Sequence, residues 1–111
     1  MNIYDTRTAA ASAVSSRPDR PATTLLHDCP DARVLLFRIE PGEEVPVHTN
    51  ASSVLLEIVS GTGTVAGAAG ERRVGPGDIV VYEPHEPHGM RAASEQMVIV
   101  AVIAPRPGSR S

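Results

Sequence analysis

Glycine and proline break this chain so regularly that it has little room for long helices. There are 9 glycines and 10 prolines in 111 residues. The apolar stretches between them are short and rich in Val, Ile and Leu, which suits strands. Residues 23–27 read as a short strand and residues 34–39 as the first clear one. With Arg38 toward water, Leu35, Phe37 and Ile39 face inward. Val45-Pro46-Val47 can only be extended, and its proline favours a sheet edge. Residues 54–60 alternate, with Val54, Leu56 and Ile58 inward and Glu57 outward with Leu55 and Val59. Gly67-Ala68-Ala69-Gly70 reads as a hairpin loop between residues 64–66 and 71–74. Residues 79–82 and 96–103 complete the set, and residues 91–95 read as a turn. No crossover helix of adequate length is present, so parallel βαβ units are disfavoured. The pattern predicts an all-β sandwich or barrel.

Residues 1–22 differ in character, being rich in Ala, Ser, Arg and Pro. A helical turn or two fits residues 9–14, ended by Ser15-Ser16 and the prolines at 18 and 21. The segment is expected to be a flexible arm, or an arm that packs on a partner subunit. Residues 23–105 form the predicted domain, and residues 106–111 a loose tail.

Composition narrows the function classes. The net charge is −3, lysine is absent, and Arg72-Arg73 is the one adjacent basic pair. Nucleic-acid binding needs a concentrated basic field, and none is visible. Cys29 is the single cysteine, so no intrachain disulfide or CxxC pair exists. No apolar run reaches the roughly 18 residues of a membrane span. The amino end lacks the basic head and apolar run of a secretory signal. A cytoplasmic location is expected. With one Phe, two Tyr and no Trp, the core is modest, and a homodimer that buries further apolar surface is expected.

The stretch GPGDIVVYEPHEPHGM, residues 75–90, carries the strongest functional signal. Pro76, Gly77 and Asp78 make a turn, a branched strand follows, and two prolines stiffen the loop holding His85 and His88. His88 is expected just past a strand end. His48 lies 40 residues upstream, also after a Pro-Gly turn. The two meet only if the strands between them fold back on each other.

These features resemble those of the small single-domain cupins. The family's first motif, G-x5-H-x-H-x3,4-E-x6-G, fits Gly42, His48, Asn50, Val54 and Gly61 in register. Its second, P-x-G-x2-H-x3-N, aligns with Glu83, His85, His88 and Ala92, of which only His88 keeps the motif residue, and is preceded by the Pro-Gly-Asp turn. The resemblance covers about residues 33–104 and implies a double-stranded β-helix, or jelly-roll, barrel. It also implies a mouth where three His and one Glu usually hold Mn, Fe, Ni or Zn. Here Asn50 replaces the second His and Val54 the Glu, so the motif is degenerate. The expected cofactor is therefore none, or a weakly bound divalent metal held by His48, His88, Asn50 and His85. Asn50, Val54, Leu56, Ile58, Tyr82 and Met90 are the expected ligand-binding residues, and His48 and His88 the candidate catalytic ones.

Three readings of function follow. The first is a small-molecule-binding cupin with a weak or vestigial metal site. The second is a small enzyme of dioxygenase, isomerase or cyclase type, acting on an oxygenated metabolite. The third is a structural or sensory module.

Overall fold

A computed structural model of the chain describes residues 1–108. Of the tail expected to be loose, residues 109–111 lie outside the described residues. Two antiparallel sheets face each other. One contains β1 (Ala22–Cys29), β2 (Ala32–Ile39), β9 (Met97–Ala104), β4 (Ser53–Ser60) and β7 (Ile79–Tyr82), in that spatial order. The other contains β3 (Glu44–His48), β8 (His88–Ala92), β5 (Gly63–Gly67) and β6 (Gly70–Val74). Strands distant in sequence alternate in space, as in an all-β jelly roll.

The core lies between the sheets, filled by the inward residues of each strand. Val54, Leu56 and Ile58 of β4 are buried, as the alternation predicts, and meet Ile39, Val65, Tyr82, Met90, Met97 and Ile99. Fully burying each aliphatic side chain contributes about 1.5–3 kcal/mol. The turn at 75–78 is closed by its own carboxylate, since Asp78 Oδ2 accepts from Gly75 N at 2.8 Å. Gly77 holds φ at +92°, the left-handed conformation expected there.

Three expectations need correction. Residues 88–92 form strand β8, so His88 opens a strand rather than following one, and residues 91–92 are not part of a turn. The Gly and Ala in this strand weaken its sequence signal. Its neighbours β3 and β5 impose the extended conformation through pairing. The second concerns the amino-terminal helix, α1 (Thr6–Ala11), which starts earlier than expected. Asp5 sets that start, its Oδ1 accepting from Arg7 N at 2.8 Å and Thr8 N at 3.2 Å. The third concerns Arg38, which does not project freely into water. Although Phe37 and Ile39 do pack inward, the opposite side of β2 is covered by α1. Ala9 and Ala10 bury Leu36 and Val98 there. Arg38 Nη1 donates to Ala10 O at 2.6 Å, and Thr24 Oγ1 to Ala9 O at 2.9 Å. These bonds add to the local ones at the helix end, where Ala10 O also accepts from Ala13 N and Ala9 O from Ser12 Oγ, both at 3.3 Å.

The four free strand edges differ. β1 is bridged by Val14, which exchanges two backbone hydrogen bonds with Thr23. β3 carries Pro46, β6 carries Arg72 and Arg73, and β7 is four residues long.

Gly61 shows how tightly one crossing is packed. Its φ is +76°, and an added Cβ would lie 2.2 Å from Gln96 O. Gly42 also has positive φ, +88°, but its Cβ position is open. Gly61→Ala is expected to destabilise the protein by about 3 kcal/mol, combining left-handed strain with overpacking. Gly42→Ala is expected to cost only about 1 kcal/mol. Parallel urea denaturation of the two variants measures the difference.

Candidate functional site

The pairing of β3 with β8 places His48 directly opposite His88. Their ring centroids are 4.1 Å apart and the planes are inclined at 59°. The close approach of the strands depends on Gly89. A Cβ there would lie 3.0 Å from Val45 O and 3.1 Å from Val47 N. A register shift between Val45 and His48 lets the end of β3 bend over β8. Tyr82, at the end of β7, lies on the other side of His88 with ring centroids 5.1 Å apart. The histidines and the tyrosine thus form a line from surface to interior. His48 is exposed, His88 is 7% exposed and Tyr82 is 3% exposed.

Each imidazole is fixed the same way. His48 Nδ1 is 2.9 Å from Pro46 O, and His88 Nδ1 is 3.0 Å from Glu86 O. A carbonyl oxygen only accepts, so each Nδ1 carries the proton. Each neutral ring therefore keeps its lone pair on Nε2. Both carbonyls lie two residues before the histidine, one belonging to Pro46 and the other, of Glu86, joined to Pro87. The repeated spacing was visible in the sequence, but its meaning depends on both segments being extended.

Burial pushes the His88 pKa down. The Glu86 carbonyl bond and carboxylate oppose this, while His48 adds to the lowering. Tyr82 donates to Ala66 O at 2.7 Å. Its pKa is raised, chiefly by burial and also by the Glu86 carboxylate, so it remains a neutral phenol.

The other expected site residues fall into three places. Val54 is buried opposite Tyr82, where the family's glutamate position falls. Leu56 and Ile58 lie deeper in the core, and Met90 shares the inner face with His88. Asn50 is half-buried and ties loops together. Its Oδ1 accepts from Ser52 N at 2.9 Å, and its backbone O accepts from His85 N at 2.7 Å. His85 is exposed and holds φ at +69°. The family's glycine at this position suits that conformation.

A site of three imidazoles and one carboxylate does not fit these residues. Val54 offers no donor, and one lone pair of the Asn50 oxygen is engaged. Among the described residues, no group of three or more His, Cys, Asp or Glu side chains is placed to hold a metal. A groove of about 600 Å³ lies between α1 and the outer sheet face, and neither histidine lines it. A smaller hollow of about 190 Å³ adjoins Tyr82 and is lined by Val65, Arg72, Val80 and Glu86.

Residues 35–103 match the family model described as cupin domain. The chain belongs to the cupin family. This cupin superposes on solved structures over most of its length. One is TT1209 from Thermus thermophilus, 23% identical, covering 96% of this chain and 100% of that one at a TM-score of 0.85. Another is an RmlC-like cupin from Desulfovibrio desulfuricans, 26% identical, covering 85% and 91% at 0.73. A third is KdgF from a Halomonas species, 21% identical, covering 86% and 88% at 0.78. A search of curated proteins found no match. Among the described residues, no helix is long and apolar enough to cross a membrane.

The lowered His88 pKa has a consequence for stability. The unfolded chain takes up this proton near the ordinary value of 6.5, and the folded protein does so only at lower pH. Its contribution is therefore complete above about pH 6.5 and is lost as pH falls toward the folded value. Denaturation midpoints from about pH 7.5 to 5 are expected to fall less steeply for His88→Gln than for the unmodified protein.

Proposed function

We propose that this cupin binds a small uncharged molecule at the His48–His88 pair and retains only a vestigial site for divalent metal. The observation that carries this reading is the 4.1 Å approach of two imidazoles whose Nδ1 protons are already committed to carbonyls. Each Nε2 lone pair is then free to accept a hydrogen bond from a hydroxyl or amine, His48 from the exposed side. Tyr82 and Val54 supply an apolar floor. Asn50 acts from the loop, and its amide nitrogen is suited to orienting a carbonyl. Leu56, Ile58 and Met90, the other expected ligand-binding residues, are buried in the core behind that floor. His85, on the exposed loop, is the weakest of the expected metal ligands.

Two neutral imidazoles and one amide hold a divalent ion poorly. Protein purified without a histidine tag is expected to contain well under one Zn, Mn, Fe or Ni per chain. Elemental analysis measures this. Stoichiometric metal that disappears in His48→Ala and His88→Ala would overturn the reading.

A catalytic reading uses the same pair. Burial keeps His88 unprotonated near neutral pH, as a general base requires, and His48 is the electrostatic stabiliser in its protonated form, whose Nε2–H is then a donor. Dioxygenase, isomerase and cyclase chemistries all belong to this reading.

The partner that best suits the fold is a second copy of the chain. On the outer face of the larger sheet, Leu55 lies opposite Val81 and Val102, and Glu57 lies opposite Ile79 and Val100. Ile79 and Val81 are each 61% exposed. The outer face of the smaller sheet is charged, with Arg91 forked onto Glu71 at 2.6 and 3.1 Å. A two-fold dimer through the apolar face leaves the charged one in water. Val81→Glu is expected to shift the protein from dimer to monomer in sedimentation velocity, while its β-sheet circular dichroism is retained.

A further inference from the structure

A hollow of about 330 Å³ is lined by the arm that follows α1 and by residues of β1, β2 and β3. Neither histidine of the pair lines it. We propose that this hollow binds a small organic carboxylate with an apolar body, and that Arg17 and Arg20 hold its acid group.

Backbone pairing places the arm there. Val14 N donates to Thr23 O at 3.1 Å and Thr23 N to Val14 O at 3.0 Å, so residues 15–22 leave and return at one point of β1. Ser15 Oγ faces the carbonyls of Arg17 and Arg20, 2.7 Å from the second. Arg20 N donates to Arg17 O at 3.2 Å. The loop is thus tied to itself through its backbone, and the side chains of Arg17 and Arg20 line the hollow. Thr23 is paired with Phe37 on β2, so their side chains share one face of the sheet. Pro21, Phe37 and Val45 supply the apolar wall, and the last two also pack against the core. A wall and a loop already held in place leave little ordering to be lost on binding.

Charge points to the ligand. Arg7, Arg33, Arg38, Arg91 and Arg106 each lie within 4.0 Å of a carboxylate. Among the described residues, Arg17 and Arg20 have no such partner, and no acidic side chain lines the hollow. The larger groove beside α1 also holds arginines, but Arg38 there is engaged by Ala10 O and Glu40. Guanidinium forks match the paired oxygens of a carboxylate, and the Thr23 hydroxyl is a further donor. A bare inorganic anion gains nothing from Pro21, Phe37 and Val45, whereas an organic acid buries its body on them. The volume lies at the small end of ligand pockets, which suits a single ring or a short branched chain.

The test titrates the full chain with sodium benzoate and follows backbone amide shifts by heteronuclear NMR. Saturable shifts are expected at Thr23, Phe37 and Val45, with none centred on His48 or His88. Benzamide has the same ring without the charge, and inorganic phosphate has charge without the ring. Each is expected to bind about tenfold more weakly than benzoate, or worse. Arg20 is half-buried and Arg17 exposed, so replacing either leaves the core alone. Arg17→Gln and Arg20→Gln are each expected to weaken benzoate about tenfold, and the double variant to abolish saturation. Thermal melts check that each variant folds. Arg73→Gln removes the same charge from β6 and is expected to leave the affinity unchanged.

Benzamide or phosphate as tight as benzoate would overturn the inference. So would a benzoate affinity that survives the double variant, or one that falls equally in Arg73→Gln. Absence of saturable benzoate binding at millimolar concentration would overturn it too, and would leave the proposal for the histidine pair standing. Shifts gathered at His48 and His88 would overturn it and also contradict the uncharged ligand proposed for that pair.

Discussion

The site depends on the antiparallel pairing of β3 with β8. Strand β3 is an edge strand held to the rest of the sheet through β8 alone. Glycine at position 89 lets the β3 backbone come close, and the irregular register lets its last residue fold over. The histidines are paired by this contact, not by any hydrogen bond between them. The same geometry points each Nδ1 at a carbonyl two residues back in its own chain. A change that separates β3 from β8 would therefore dissolve the pair while leaving the larger sheet intact.

The electrostatics follow from the same arrangement. His48 stands in water and His88 does not, so the two rings differ in environment though they touch. The inner ring is held neutral by burial, against the opposing pull of Glu86. The outer ring lies at the surface. Tyr82 closes the inner end with its hydroxyl already bound to Ala66 O, which leaves the imidazoles as the open polar groups in that line.

Much of the fold was legible in the sequence, because Gly-Pro turns and period-two alternation both report local conformation. Strand β4 is the clearest case, with Val54, Leu56 and Ile58 inward as read. Strand β8 was missed because His-Gly-Met-Arg-Ala has no intrinsic strand character, and only its neighbours make it extended. The covered face of β2 was missed for a related reason. Leu36 gave no sign that a helix 25 residues upstream would sit on it. For the site, the spacing of motif residues pointed to His48 and His88 together. What the sequence could not give was the tautomer of each ring or the second task of Asn50. Both depend on backbone atoms whose positions exist only after folding.

The guarded strand edges restrict how this protein can assemble with itself. Pro46 interrupts the row of donors along β3, and paired arginines repel a newcomer along β6. Val14 already occupies part of β1, and β7 offers only a short template. Growth by strand addition, the route to fibres, is therefore obstructed on every side. What is left open to a neighbouring molecule is the breadth of the sheets rather than their margins.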